Sequence, residues 1–398
     1  MHTRSLLSTC LLFLLSLTSS TSAASISSSH SLSSRAEACN NSPDLCSKPY
    51  NSVVHLGAHD SPFVRDASTG FSVSGNQYYN TTVQLSAGVR LVTAQVHMTN
   101  SQWHLCHSSC DLLDAGLLSD WLKTIKTWLD NHPNEVVTVL LVNSDNARPS
   151  QLHAEFLDAD LVDQAYVPSS ITTPPETWPT LQDIIAGGKR LMTFVASWNL
   201  TDPELNATTS YMMDEFTFIF ENPFDNTNPS DFTCAPNRPT AVQNNVQSAI
   251  SSNRMPFVNH FLYSTGAFDI ETPDVDKINV TNAASTNTAG SLGQALSTCN
   301  SQYGRVPTFT LVDFFDQGPA IDAVDALNGV TSPVGRVAPP PRDTHKSSST
   351  LSQSTFAGVV QLANDVKSGE KPKLGAWIWA AGKWTFGGIN LNGGGLLN

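Results

Sequence analysis

The chain has 398 residues, 40% of them hydrophobic, and a formal net charge of −13 from 21 Lys and Arg against 34 Asp and Glu. That is ample apolar material for a large core, but the acidic balance and the lack of any basic run argue against nucleic acid as a partner. Anionic lipid would also repel this surface unless a local apolar patch overrides the charge, which allows only transient membrane-surface contact.

Residues 1–23 read as a secretory signal: Arg4 gives the positive flank, an apolar stretch runs over 6–17, and Ser22-Ala23-Ala24 offers small residues for cleavage. A Ser-rich segment follows over 24–48. No later stretch reaches the roughly 20 apolar residues a membrane helix needs, so a soluble, secreted monomer is expected. Of the 7 cysteines, Cys10 leaves with the signal. The remaining six suit disulfides in an oxidising compartment better than zinc, since their spacings lack finger-type partners. Six cysteines allow fifteen connectivities; the two close pairs favour 39–46 and 106–110, which leaves 234–299. Asn40, Asn80, Asn199, Asn206 and Asn279 each stand in Asn-x-Ser/Thr, the glycosylation pattern of surface loops.

From residue 49 onward, short β-branched or aromatic runs alternate with helical patterns. Strands are predicted over 53–55, 90–98, 136–143, 190–196, 216–221, 257–263 and 309–315, each bounded by turn residues. Between the second and third, Leu118, Leu122, Ile125 and Leu129 recur at helical spacing, and His132-Pro133-Asn134 ends that helix. Strands separated by helices predict a mostly parallel sheet. Their number and span fit one α/β domain over 49–330, an irregular TIM-type (β/α) barrel, a fold of about 250 residues; an open doubly wound sheet is the second architecture. The first strand is followed by no Gly-x-Gly-x-x-Gly, so a nucleotide cofactor has no support. After a short helix over 320–327, residues 331–398 form a Pro/Ser-rich linker, a helical pattern over 356–366 and a Gly-rich tail. Trp377, Trp379 and Trp384 of that tail suit either a cap on the barrel floor or a lipid- or sugar-contacting surface.

In such a barrel the working residues come from the C-terminal ends of strands and the loops just after them. His59 and Asp60 follow the first strand in Gly57-Ala58-His59-Asp60-Ser61. Gln95 and His97 lie late on the second, and His107 closes Trp103-His104-Leu105-Cys106-His107. Asn143 and Asp145 end the third strand, Glu221 and Asn222 the fifth, and Asp313 is late on the last. Thr93, Gln95 and His97 share a strand face opposite Val92, Ala94 and Val96. An imidazole can take a proton and give one back near neutral pH, so His59 and His107 on either side of a scissile ester would cleave it without metal. Asp313, between apolar neighbours, needs a partner, because an unpaired buried carboxylate is costly.

These residues resemble the X domain of phosphatidylinositol-specific phospholipase C, within the wider group of phospholipase C-like phosphodiesterases on TIM-type barrels. The resemblance spans about residues 50–320. It rests on Gly57 to Ser61, Gly88-Val89-Arg90, Leu105-Cys106-His107, Pro133-Asn134-Glu135-Val136-Val137, Trp178-Pro179-Thr180-Leu181 with Gly188-Lys189-Arg190, and Leu311-Val312-Asp313-Phe314. It implies that His59 removes a proton from a substrate hydroxyl, in the family the inositol 2-hydroxyl, which attacks the neighbouring phosphate to form a cyclic diester. His107 would then protonate the departing glycerol oxygen, with Asp313 orienting His59 and Asp60 supporting His107.

The chain departs from the pattern on the second strand. Calcium-dependent members carry acidic ligands there and bacterial members an Asp-x-Arg; this chain has Thr93-Ala94-Gln95, and Asn143 stands where calcium-dependent members have a glutamate. No metal or other cofactor is therefore expected. Gln95 would donate a hydrogen bond to a phosphoryl oxygen, Asn143 and Glu221 would line the substrate site, and His97, Arg90 or an unplaced residue would replace the arginine. The expected function is a secreted phosphodiesterase acting on an inositol phospholipid, a glycolipid anchor or a related phosphodiester. The alternatives are a catalytically silent barrel that binds a lipid head group, polyol or glycan, and a glycoside hydrolase, for which no acidic pair is better placed than the histidines.

Overall fold

Along the chain run β1 (His55–Ala58), α1 (Thr81–Ala87), β2 (Leu91–Thr99), β3 (Gln102–Cys106), β4 (Asp114–Leu117), α2 (Leu118–Asn131) and β5 (Val137–Asn143). Then come α3 (Pro149–Asp158), α4 (Leu181–Ala186), β6 (Leu191–Ala196), β7 (Met212–Asp214), α5 (Glu215–Phe218), β8 (Ile219–Glu221), α6 (Val246–Ser251) and β9 (Met255–Asn259). A hairpin of β10 (Tyr263–Thr265) and β11 (Glu271–Pro273) precedes α7 (Ile278–Thr281), α8 (Leu292–Tyr303), β12 (Phe309–Val312) and α9 (Ala320–Asn328). The computed structural model describes residues 38–196, 198–265 and 271–342, and the backbone of a three-stranded antiparallel sheet, β13 (Trp377–Ala380), β14 (Lys383–Phe386) and β15 (Ile389–Asn390).

Strands β1, β2, β5, β6 and β7 pair in parallel in chain order, as do β8, β9 and β12, and β12 returns to pair with β1. The joint between β7 and β8 carries no ladder and α5 fills the chain between them, so the sheet is an irregular TIM-type barrel with one open seam. Side-chain alternation builds two cores from the same strands. Val92, Ala94, Val96, Val137, Val139 and Leu141 pack outward against helices, with Leu118, Leu122, Ile125 and Leu129 of α2 among them. Leu91, Leu140, Phe194, Phe257, Phe309 and Leu311 fill the interior with Tyr50 and Trp178. Each such fully buried side chain contributes about 1.5–3 kcal/mol. The Tyr50 hydroxyl is 2.7 Å from that of Thr138, and with Trp178 it plugs the floor, the N-terminal end of the strands.

Several predicted strands are displaced for identifiable reasons. The first begins at His55 rather than 53, because the Asn328 amide takes both backbone groups of Val54. The run over 216–221 opens as helix: the Asp214 carboxylate accepts from the Thr217 backbone N–H at 2.7 Å, capping α5, and only Ile219–Glu221 is extended. The strand predicted over 257–263 stops at Asn259, and the one over 309–315 stops at Val312, leaving Asp313 just past the ladder. β7, three residues long, was not predicted.

The disulfides join Cys39–Cys46, Cys106–Cys110 and Cys234–Cys299, the pairing that the spacing favours. Four of the five glycosylation sequons are exposed, but Asn40 is buried and its side chain accepts from the Val136 N–H; it is a structural residue rather than a surface acceptor. Among the described residues no helix is long and apolar enough to cross a membrane. The signal over 1–23, the Ser-rich segment up to residue 37, the helical pattern over 356–366 and the side chains of Trp377, Trp379 and Trp384 lie outside what is described.

Candidate active site

Parallel pairing of β1 with β12 places the residues that leave the two strands side by side, and the His59 N–H donates to the Val312 carbonyl at 2.9 Å. Gly57 permits the close approach: a Cβ there would lie 2.7 Å from the side chains of both Leu91 and Leu311. His59 Nδ1 is 2.9 Å from Asp313 Oδ1, which fixes the tautomer with Nδ1 protonated and leaves Nε2 to face the barrel mouth. Asn76 Nδ2 donates to the same Asp313 oxygen at 3.0 Å. Gln77 Nε2 donates to the His59 and Val312 carbonyls, and its oxygen accepts from the Phe315 N–H. Phe261 stacks on the imidazole at 3.9 Å between centroids. Sequence pattern does not mark Asn76, Gln77 or Phe261: the two amides sit in an irregular loop, and Phe261 follows β9 with nothing to separate it from core aromatics.

Asp60 takes a left-handed backbone conformation, φ 48°, and its N–H donates to Thr93 Oγ1 on β2 at 2.9 Å. This turn sets its carboxylate between the two histidines. Asp60 Oδ2 lies 3.7 Å from His59 Nε2 and 3.5 Å from His107 Nε2, so the two Nε2 atoms are at most about 7 Å apart. His107 sits inside the five-residue loop closed by the Cys106–Cys110 disulfide at the end of β3, against the edge of Phe63. Both histidine side chains keep a small opening to solvent, 13% and 12%, while Asp60 and Asp313 are buried.

Burial works against charge on His59, but the carboxylate of Asp60 and then that of Asp313 outweigh it and raise its proton affinity above the ordinary histidine value. His107 is pushed the other way by burial, which Asp60 opposes and the charge on His59 reinforces. A single proton on the unliganded pair therefore favours His59.

The other predicted residues divide sharply. Gln95 belongs to the cluster, but its amide is engaged by protein: Nε2 donates to Asp60 Oδ2 at 2.8 Å and Oε1 accepts from the Ser108 N–H at 3.0 Å. Asn143 bonds both ends of its amide to the Ala147 backbone, closing its own loop. His97 pairs with Asp145 at 3.3 Å. Arg90 is not at the mouth: it precedes β2 on the floor, where Glu135, Asn41 and the Leu85 and Val89 carbonyls use its guanidinium. Arg90 thus lies at the opposite end of the barrel from the histidines, and among the described residues no Lys or Arg contacts His59, Asp60, His107 or Asp313. Glu221 ends β8 in an ion pair with Arg238, accepts from Asn259 Nδ2 at 3.3 Å, and adds to the field that raises His59. Glu215, buried beside it, keeps its proton well above the usual carboxyl range through burial and the neighbouring Glu221 charge. The cluster of Cys106, Cys110 and Asp114 is the metal-like grouping among the described residues, but its sulfurs are joined as a disulfide and offer no thiolate.

Residues 45–328 match the PI-PLC X domain family (PI-PLC X 1). The chain belongs to that family. A PI-PLC X domain-containing protein 1 of Arthroderma benhamiae is 36% identical over 294 residues, covering 73% of this chain and 90% of its own length. An uncharacterized secreted protein of the same fungus is 34% identical over 301 residues, 74% of this chain but 64% of that protein, so the chain spans under two thirds of that relative. Among solved structures, phosphatidylinositol-specific phospholipase C from Listeria monocytogenes superposes with a TM-score of 0.47 at 16% identity, covering 72% of this chain and 95% of its own.

Proposed function

We propose that this PI-PLC X protein is a secreted phosphodiesterase that cleaves an inositol phospholipid, a glycolipid anchor or a related phosphodiester by paired imidazole acid-base catalysis. The observation that supports it most is the shared carboxylate: both Nε2 atoms face one Asp60 oxygen within 3.7 Å, which sets the two imidazoles close enough to serve one phosphodiester. His59, its Nδ1 held by Asp313, accepts the proton of the attacking hydroxyl as the new P–O bond forms. His107 gives its proton to the leaving oxygen as the old P–O bond breaks, and the pair exchanges roles when water opens the cyclic diester. Holding the nucleophile within the substrate removes much of the entropic cost of attack, and each proton transfer contributes about 10² to 10⁴ in rate. Glu221, steadied by Arg238 and Asn259, supplies an acceptor for head-group hydroxyls.

Because the resting proton favours His59, the productive arrangement is the minor one of the singly protonated pair, which slows turnover without changing the shape of the pH profile. Among the described residues the cluster holds no fixed cation to neutralise a phosphoryl oxygen, normally a large contribution; this same observation favours the second reading, a silent barrel that binds a head group. Wild-type protein with phosphatidylinositol vesicles and EDTA separates the two. Release of diacylglycerol and cyclic inositol phosphate supports the enzyme. Saturable head-group binding without product supports the silent barrel.

A further inference from the structure

Gln95 occupies the position from which an arginine was expected to reach the phosphate, yet its amide is turned into the protein. Its orientation is set by chemistry: a carboxylate only accepts and a backbone N–H only donates, so Nε2 must face Asp60 and Oε1 must face Ser108. Asp60 belongs to the turn after β1, whereas Ser108 belongs to the Cys106–Cys110 loop that carries His107. One side chain on β2 thus ties the carboxylate between the histidines to the loop that presents one of them. Few replacements could do both. Arginine or lysine would donate to Asp60 but could not accept from Ser108, an ionised glutamate would accept but repel Asp60, and methionine would do neither.

We propose that Gln95 is a positioning residue for the reaction proposed above: it holds Asp60 and the His107 loop in register so that both imidazoles address one carboxylate. The inference rests on that reading for its catalytic meaning, but its geometry can be tested without turnover. The charged groups that face His59 are Asp60, Asp313 and Glu221, and those that face His107 are Asp60, His59 and Asp313; only Asp60 is bonded to Gln95.

The test is an NMR titration of the two imidazoles in substrate-free protein, with Gln95→Met and Gln95→Glu beside wild type, followed by kinetics on phosphatidylinositol vesicles. In Gln95→Met the Asp60 carboxylate is no longer held between the imidazoles, its charge moves away from them and both histidine midpoints fall, while kcat drops by up to about 10²-fold at little change in KM. In Gln95→Glu the new carboxyl reproduces the wild-type bonds only while protonated. Activity is then best preserved on the acid side and is lost with rising pH sooner than in wild type. Unchanged histidine midpoints in Gln95→Met, or a raised KM with unchanged kcat, would overturn the proposal in favour of a passive or substrate-contacting glutamine. Should Gln95→Met not fold, the near-isosteric Gln95→Glu decides through its titration. A wild type without turnover defeats the enzymatic reading but leaves the histidine midpoints to decide the role of Gln95.

Discussion

The two ends of the barrel hold comparable sets of buried charge and treat them in opposite ways. On the floor, every guanidinium nitrogen of Arg90 is bonded, to Glu135, Asn41 or a backbone carbonyl. At the mouth, Asp60 Oδ2 takes one short bond, from Gln95, and stands 3.5 and 3.7 Å from two imidazoles, while Asp313 Oδ2 is buried without a hydrogen-bond partner among the described residues. The backbone repeats the contrast. Among the left-handed residues, Asn40 and Asn41 on the floor tolerate that conformation, whereas Asp60, Ser108 and Phe314 at the mouth each stand at or beside an acid-base residue. Phe314, at φ 43°, is held there by Asn76 and Asn282, a strain of order 1–3 kcal/mol. Satisfied charge stabilises the fold, whereas charge left short of its partners is available to a substrate.

The contrast is broken most severely at the mouth. His59→Ala should lower kcat by about 10² to 10⁴ with little change in Tm, measured by vesicle assay and thermal melting. On the floor the signature reverses: Glu135→Gln leaves a buried guanidinium short of its counter-charge and should cost about 3–5 kcal/mol in denaturant unfolding, with activity per folded molecule unchanged. The Cys106→Ala/Cys110→Ala variant joins the two effects. Opening so short a loop should cost about 2 kcal/mol, while release of His107 lowers kcat by up to about 10²-fold; an activity loss no larger than the unfolded fraction would mean that the disulfide is only a staple.

The smallest effect is a shift in pH dependence. Wild type should give a bell in kcat/KM, whose alkaline limb is the loss of the last proton of the pair, held mainly by His59. Asp313 raises His59, so Asp313→Asn lowers that proton affinity and moves the alkaline limb to lower pH, narrowing the bell. A limb that stays in place would show that Asp313 orients the ring without affecting its charge.

Much of this was legible in the sequence because it is local or periodic. The apolar spacing of 118–129 predicts α2 closely, the close cysteine pairs predict the disulfides, and β2 alternation separates Thr93 and Gln95 from Val92 and Ala94. What was not legible depends on contacts remote in the chain. Asn328 ends a strand that Val53 and Val54 suggest, and Asp214 converts Phe216 to Phe218 into a helical turn. Asn76 and Gln77 matter only because the fold brings their loop onto Asp313. Arg90 illustrates the converse: its charge suggests a phosphate site, but its position before β2, at the N-terminal end, sends it to the floor.

The central claim is that His59 and His107 act as base and acid on opposite sides of one phosphorus. The most direct measurement compares an alkyl inositol phosphodiester with a nitrophenyl one, whose leaving group needs no proton. The account predicts that His107→Ala loses most of its activity on the alkyl ester and regains it on the nitrophenyl ester, whereas His59→Ala is impaired on both. Equal losses in the two variants on both esters would contradict it.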